Sequence, residues 1–454
     1  MKLLGLKRDE VKQVFKEGKV TIAVYGLGKM GLPLAAVFAD HGADVIGVDI
    51  NEKIVEMVNM GENHVKEEPG LSELVKKNVE AGRLRATTDG AWAAKQADVM
   101  IIIVPTLADE KGNLKLDPVY DVAEKISQGL EKGDIVITEA TMPPGTTESL
   151  IPILEKSGLK LGEFGLAHAP ERTMTGTAIR DITGQYPKIV GASDEKTLEA
   201  VIGIYETINK KGVIPVSSIK AAEAVKVFEG IYRDVNIALA NELALWCEEH
   251  GLDALEVFRA ANTQPYCHLH MPGAGVGGHC IPIYPWFVIN LAKKTNPHLI
   301  KTAREINDSM PHHIVELTIK ALNEVGKSLK GSNVLVLGLT FRGGVREFMK
   351  SPAIPIIKEL KEWGAKVYAY DPLCTPEDAK RFGAEWKKDF KNIDAIIIVT
   401  DHKEFKNLDL DKIAKDMNNK IIIDGRNILD AKKAEKNGFI YLAIGKLGLV
   451  FNTF

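Results

Sequence analysis

A strand, a glycine turn and a helix open the first ordered part of this sequence, and few folds accommodate that succession. Val20-Thr-Ile-Ala-Val-Tyr25 is a run of β-branched and apolar residues that leads directly into Gly26-Leu-Gly28-Lys-Met-Gly31. The first glycine permits the tight turn, Gly28 lets a pyrophosphate approach the backbone, and Gly31 lets helix and strand pack closely. The helix that follows offers oriented N–H groups and positive potential to an anion. Asp49 ends the next apolar run, at the spacing where a carboxylate accepts hydrogen bonds from an adenosine ribose and repels a 2′-phosphate. No Arg stands in residues 50–54, so the pattern favours NAD over NADP.

The alternation continues. Apolar runs at 44–49, 99–104 and 134–138 read as buried strands separated by helical stretches, a short helix precedes them at 8–19, and Thr106 just beyond the run 99–104 joins the cofactor candidates. From 219 to 259 the period becomes helical: Ala222, Val225, Phe228, Tyr232, Val235, Leu239, Leu243 and Trp246 fall on helical spacing over a length that suits a spine between domains. A second helical stretch covers 285–326. Strand and turn signals then resume at 331–338, 366–370, 395–400 and 420–424, with Asp371 placed as Asp49 is. The expected architecture is α/β: two Rossmann-like doubly wound domains joined by a long central helix and a helical middle domain. The expected boundaries are 1–215 for the cofactor part with its N-terminal extension, 216–326 for a central helical and dimerisation part, and 327–454 for the second Rossmann-like part.

Bulk properties narrow the function. A chain of 454 residues exceeds what one core usually supports. Charged residues make up 26% but nearly cancel to a net of -3, so no basic field gathers nucleic acid or an anionic membrane, and an anionic ligand needs local cations. Without an apolar run of spanning length or a leader-like N-terminus, a soluble cytoplasmic protein is expected. The four cysteines are spaced for neither a zinc site nor a disulfide framework. Cys247 lies within helical periodicity and reads as a core thiol, as do Cys267 and Cys374. Cys280 differs: Pro272-Gly-Ala-Gly275-Val-Gly277-Gly278-His279-Cys280 puts four glycines before it, leaving open space and a bent backbone around a sulfur suited to nucleophilic chemistry.

From Gly26 to Asn427 the chain resembles the UDP-glucose/GDP-mannose dehydrogenase family. The shared motifs occur in order: the glycine turn, Ala140-Thr141-Met-Pro-Pro-Gly145-Thr-Thr, Ala169-Pro-Glu171-Arg172, Lys226, Arg233-Asp-Val-Asn236 through Asn241-Glu242, Gly277-Gly-His-Cys280, Ser351-Pro-Ala353, Tyr370-Asp-Pro372 and Asp424-Gly-Arg426-Asn427. The loop Arg172-Thr-Met-Thr175-Gly resembles the N-acetylhexosamine branch, and the sequence as a whole looks most like the UDP-N-acetylmannosamine 6-dehydrogenase branch of the family.

The resemblance implies a four-electron oxidation of a UDP-sugar at C6 with NAD. Cys280 would capture the aldehyde as a thiohemiacetal, Lys226 would stabilise oxyanion charge, Glu171 would act as acid or base in thioester hydrolysis, and Thr141 would help hold water. Arg172, Arg233, Asn236, Gly277, Arg342 and Arg426 would face the nucleotide sugar, and the long helix would form a homodimer interface. Read without the resemblance, Lys226 is a solvated helix lysine, Glu171 an ion-pair partner of Arg172, Thr141 a turn cap and His279 a loop residue.

Three positions depart from the family pattern. Gly230 stands where the wider family has Asn four residues after the lysine, Tyr284 where it has Asp four residues after the nucleophile, and Met349 where an Arg is common, with Arg346 a candidate replacement. The alternatives are a dehydrogenase for UDP-N-acetylglucosamine or UDP-glucose, a two-electron dehydrogenase, and a non-catalytic nucleotide-sugar-binding protein.

Overall fold

The computed structural model describes residues 2–109 and 113–446. The chain divides into two compact units, residues 1–229 and 230–454, with the division inside one helix, Ile219–Glu249.

The first unit is built on an eight-stranded sheet. Its strands are β1 (Thr21–Tyr25), β2 (Asp44–Val48), β3 (Leu84–Thr87), β4 (Val99–Ile102), β5 (Ile135–Thr138), β6 (Gly165–His168), β7 (Lys188–Ala192) and β8 (Val213–Pro215). Their order is β8-β7-β6-β5-β4-β1-β2-β3. β1, β2, β4 and β5 are short apolar runs with almost every residue buried, as strands covered on both faces must be. The order reverses between β1 and β4, where a doubly wound sheet opens its ligand crevice. All neighbours are parallel except β6 with β7. β3 and β6 to β8 were not among the expected strands; β8 is three residues long and β3 is mostly half-buried, so neither carries a strong apolar signal.

The N-terminal helix ends at Lys16, short of the expected 19, where Gly18 takes a left-handed φ of 67°. Val11 and Phe15 lie in the core, and Arg8 pairs with Glu199 at 2.6 Å on the helix Glu195–Glu206. The extension is thus part of this unit.

The second unit carries six parallel strands: β9 (Asn333–Leu337), β10 (Lys366–Tyr370), β11 (Glu385–Trp386), β12 (Ala395–Ile398), β13 (Ile421–Asp424) and β14 (Ile440–Ala443), in the order β11-β10-β9-β12-β13-β14. Counted from the first strand this is 3-2-1-4-5-6, the order also found at the start of the first sheet.

The helical stretches are shorter than their periodicity implied. The expected run 219–259 breaks after Glu249: Gly251 adopts φ 68°, and Asp253 caps a new helix, Ala254–Ala261, by accepting from the N–H groups of Leu255 and Glu256. The expected run 285–326 is two helices, Tyr284–Leu291 and His298–Glu324, divided at Ala292, whose backbone is extended, and at Pro297. Among the described residues no helix is long and apolar enough to cross a membrane.

Candidate functional site

The first unit places the glycine turn at the reversal between β1 and β4. Gly26 has φ 100°, and a side chain there would meet the Ile103 carbonyl at 3.0 Å. A Cβ on Gly31 would stand 1.8 Å from the Gly26 oxygen, so any side chain forces turn and helix apart. Around Gly28, by contrast, nothing lies within 4 Å of such an atom, which leaves an open approach to the N-terminus of the helix Gly31–Asp40. Asp49 is half-buried and tied to the turn, accepting from the Leu27 N–H at 2.9 Å and from Asn51 N–H at 2.9 Å. Each of those oxygens retains a lone pair for a ribose hydroxyl. The residues present fit a dinucleotide with free ribose hydroxyls.

The second unit repeats the design and closes it. Asp371, at the end of β10, is fully buried; one of its oxygens accepts from Leu339 N–H, Thr340 N–H and the Thr340 hydroxyl and faces His402 Nε2 at 3.0 Å. Those bonds hold its carboxyl far below the usual carboxylate range. A ribose has no access to it, so only the first unit keeps a dinucleotide carboxylate open.

Three candidate loops of this unit are tied together by hydrogen bonds. The Thr106 hydroxyl donates to the Thr141 carbonyl at 2.8 Å, which ties a cofactor candidate to a catalytic candidate. The loop after Thr141 is held by Glu223, a buried residue of the long helix that accepts from Gly145 N–H at 2.5 Å and Thr147 N–H at 2.8 Å. The Glu171 N–H donates to the Glu139 carbonyl at 3.1 Å, and its carboxylate accepts from the Thr173 N–H. Arg172 therefore does not pair with Glu171. It bonds Glu229 at 2.5 Å and the Pro187 carbonyl at 2.7 Å and lies 4.9 Å from the Tyr186 ring centre. Beyond it, Glu68 gathers the N–H groups of Gly176, Ala178 and Ile179 at 3.0 to 3.1 Å and fixes the rest of the loop. Lys226 is half-buried and makes no ion pair among the described residues.

In the second unit Cys280 is exposed and opens a turn, its carbonyl accepting from Ile283 and Tyr284 N–H groups at 3.0 Å, just before the helix Tyr284–Leu291. The glycines before it serve close docking more than open space. A Cβ on Gly277 would meet Phe341 at 2.6 Å and the Lys350 carbonyl at 2.7 Å, and Gly278 donates to the Met349 carbonyl at 2.8 Å. The Cys280 loop is thereby pinned onto the loop after β9, beside Arg342. His279 turns to Glu347 at 3.1 Å.

Arg342 is half-buried, and its Nε is buried without a hydrogen-bond partner. Arg426 donates to the Val399 carbonyl at 2.6 Å and the Phe341 carbonyl at 3.3 Å. Desolvation lowers its pKa. Gly277, Arg342 and Arg426 thus gather around one loop. Arg346 does not join them. It bonds Asp378 at 2.8 and 3.0 Å, so the expected replacement for Met349 is engaged elsewhere. Arg233 is exposed, whereas Asn236 is tied to a loop backbone, donating to the His268 carbonyl and accepting from His270 N–H at 2.8 Å each.

The two departures at 230 and 284 are one packing event. A Cβ on Gly230 would overlap the buried Tyr284 ring at 2.2 Å, so the large residue at 284 requires the missing side chain at 230. Neither position alone discloses this.

A doubly wound sheet whose glycine turn, helix N-terminus and open carboxylate converge at the strand reversal defines a dinucleotide-binding protein. Family models for UDP-glucose/GDP-mannose dehydrogenases match three successive stretches: the NAD binding domain over residues 20–209, the central domain over 220–309 and the UDP binding domain over 335–431. The chain belongs to the UDP-glucose/GDP-mannose dehydrogenase family and is an NAD-dependent oxidoreductase. It is 39% identical over 439 residues to a UDP-N-acetyl-D-mannosamine dehydrogenase of Methanocaldococcus jannaschii, covering 93% of this chain and 96% of that protein. Its fold matches the solved UDP-D-ManNAc dehydrogenase of Pyrococcus horikoshii with a TM-score of 0.86 at 35% identity, covering 94% and 99% of the two chains. An NDP-N-acetyl-D-galactosaminuronic acid dehydrogenase of Methanosarcina mazei gives 0.84 at 32% identity, covering 97% and 98%.

Proposed function

We propose that this protein oxidises UDP-N-acetyl-D-mannosamine at C6 to UDP-N-acetyl-D-mannosaminuronate, consuming two NAD and one water. The observation that carries the reading is the exposed Cys280 at the head of a turn that its glycines pin to the Arg342 loop. The mannosamine choice follows relatives of that name at 36 to 39% identity over 93% of the chain.

NAD, when bound, supplies the hydride acceptor for both oxidations. Gly26, Gly28, Gly31, Asp49 and Thr106 would hold it: the glycines would admit the pyrophosphate to the helix N-terminus, and Asp49 would accept from the ribose. Gly277, Arg342 and Arg426, with Arg172, Arg233 and Asn236, take the UDP-sugar, the guanidinium of Arg342 offering its unpartnered Nε to the nucleotide. The first hydride leaves C6 as the C6 hydroxyl gives up its proton to water, and the aldehyde results. The Cys280 thiolate adds to that carbonyl carbon, and the oxygen becomes the hydroxyl of a thiohemiacetal. Loss of the second hydride and the hydroxyl proton leaves a thioester. Glu171 takes a proton from water as the water attacks the thioester carbon, Thr141 orients that water, Lys226 stabilises the oxyanion, and the Cys280 sulfur departs as the thiolate. In this reading residues 1–215 form the cofactor part, 216–326 the central part and 327–454 the UDP-sugar part.

A homodimer belongs to the same reading. Tyr232, Leu239 and Trp246 recur every seven residues along the long helix and are each about half exposed, at 54, 46 and 50%. An apolar seam at heptad spacing is what a second copy covers. Sedimentation is expected to give a dimer, and a monomer at micromolar concentration would remove this part of the reading.

The substrate is tested by mass spectrometry of the products from NAD and UDP-N-acetylmannosamine, UDP-N-acetylglucosamine, UDP-N-acetylgalactosamine and UDP-glucose. The manno epimer is expected to yield uronate about tenfold faster or more than the others, the scale at which pocket shape separates near-isosteres. Equal rates would refute the choice of epimer, and an aldehyde product would refute the four-electron course.

A further inference from the structure

Residues 169–174, which carry Glu171 and Arg172, form neither helix nor strand, so their geometry is set by individual hydrogen bonds. The segment is tied at both ends. Glu171 donates its N–H to the Glu139 carbonyl at 3.1 Å, and the Arg172 carbonyl accepts from the Tyr186 hydroxyl at 2.7 Å. Further on, Glu68 takes the N–H groups of Gly176, Ala178 and Ile179. Between these ties stands Thr173, half-buried, and it bonds in two directions. Its N–H donates to the Glu171 carboxylate, and its hydroxyl donates to the Met30 sulfur at 2.9 Å.

Met30 belongs to the glycine turn. It stands between Gly28 and Gly31, directly precedes the helix Gly31–Asp40, and accepts from the Leu34 N–H on its own carbonyl at 3.2 Å. Leu34, Glu171 and Thr173 also line one cavity, so Glu171 and the first turn of that helix face the same space. The two bonds of Thr173 make different demands on the residue type. Any residue but proline offers the N–H that the Glu171 carboxylate accepts. The bond to Met30 needs a hydroxyl at 173. Sulfur is a weak acceptor, so that bond contributes little to stability. What it fixes is position: it holds the N–H that orients the Glu171 carboxylate against the glycine turn.

We propose that Thr173 is a positioning residue for thioester hydrolysis, its hydroxyl bond to Met30 holding the Glu171 carboxylate in register with the glycine turn. The proposal rests on Glu171 acting in that hydrolysis. The two hydride transfers do not use Glu171, so a fault at Thr173 is confined to the last step. Misplacing a catalytic group by about 1 Å costs roughly 100-fold in rate, and the loss of one tie among several is expected to cost about tenfold. A scaffold role alone has no such separation between the oxidations and the hydrolysis.

The test is a single turnover of the full-length enzyme with NAD and whichever of the four UDP-sugars above it oxidises fastest, NADH reporting the oxidations and uronate the hydrolysis. In Thr173→Val, which keeps the shape and the N–H, NADH is expected within about twofold of the wild-type rate, while uronate is delayed about tenfold and thioester accumulates on Cys280. Met30→Leu breaks the same bond from the other side. It is expected to give the same delay, and the two changes combined to add nothing further. Thr173→Ser keeps the hydroxyl and is expected to release uronate at the wild-type rate. In a Glu171→Gln background, Thr173→Val is expected to slow hydrolysis no further. An undelayed Thr173→Val, equal slowing of NADH and uronate, or additive effects of Thr173→Val and Met30→Leu would assign the hydroxyl to packing and overturn the proposal. Should Thr173→Val fail to fold, the Met30→Leu delay and the Thr173→Ser rate decide. A full hydrolysis rate in Glu171→Gln would instead overturn the role of Glu171, and the proposal with it.

Discussion

Cys280→Ala is expected to abolish uronate release, lowering turnover by about 1,000-fold or more, while NAD affinity stays unchanged. The magnitude follows from the role proposed for the sulfur. Without it the aldehyde from the first oxidation is held by no covalent bond, and the second hydride has no thiohemiacetal to leave from. The variant should still produce a first NADH, with aldehyde or its hydrate in place of the acid. Cys280 is exposed and its turn is formed by backbone bonds, so the truncation leaves the loop's docking through Gly277 and Gly278 intact. Product masses and NADH yield read the outcome together. Uronate at the wild-type rate would place the chemistry elsewhere.

The largest loss of stability is expected from Arg304→Met, about 3 to 5 kcal/mol in denaturant unfolding. Arg304 is nearly buried on the helix His298–Glu324 and pairs with Asp234, which is wholly buried on the long helix between Arg233 and Val235. Asn307 supports the same carboxylate at 2.9 Å. Methionine fills most of the volume, so the cost comes from leaving Asp234 without its counter-ion in an apolar site. Burial already pushes that carboxyl up to about 6 against the Arg304 charge. A carboxyl with a raised folded pKa binds its proton more tightly in the folded state, so acid favours the fold at this group and ionisation above its pKa opposes it. The deficit of the variant is therefore expected to be larger at pH 8 than at pH 5. A deficit below about 1 kcal/mol, or one that grows toward acid, would contradict this account.

Much of this molecule could be read along the chain, for identifiable reasons. β1, β2, β4 and β5 are covered on both faces, so each shows as a continuous apolar run. The glycine turn declares itself because its side chains are excluded by the Gly26 and Ile103 carbonyls next to it. Helix ends were less visible. The period of the long helix continues past Glu249 into 254–261, and only Gly251 and the Asp253 cap mark the break.

The candidate loops were legible where they lie in motifs and opaque where distant partners hold them. Glu139 finds Lys188 and Tyr205 at separations of 49 and 66 residues, and Glu68 reaches Gly176 and Ile179 across more than 100. A charged residue beside a strand signals burial of some kind, but its partner is set by the winding of the sheet. Gly230 and Tyr284 show the same limit in another form: each looked like the loss of a functional group, and only their contact reveals one exchange of packing. The glycines before Cys280 were noticed for the right reason, their missing side chains, but what occupies that space is Phe341 and the Lys350 carbonyl.

Covalent capture at Cys280 is the central claim, and the mass of the Cys280 peptide tests it most directly. Glu171→Gln, mixed with NAD and UDP-N-acetylmannosamine and quenched in acid, is predicted to carry the uronyl thioester on Cys280 in near-stoichiometric amount, with Cys247, Cys267 and Cys374 unmodified. An unmodified Cys280 peptide recovered alongside full uronate yield would contradict the account.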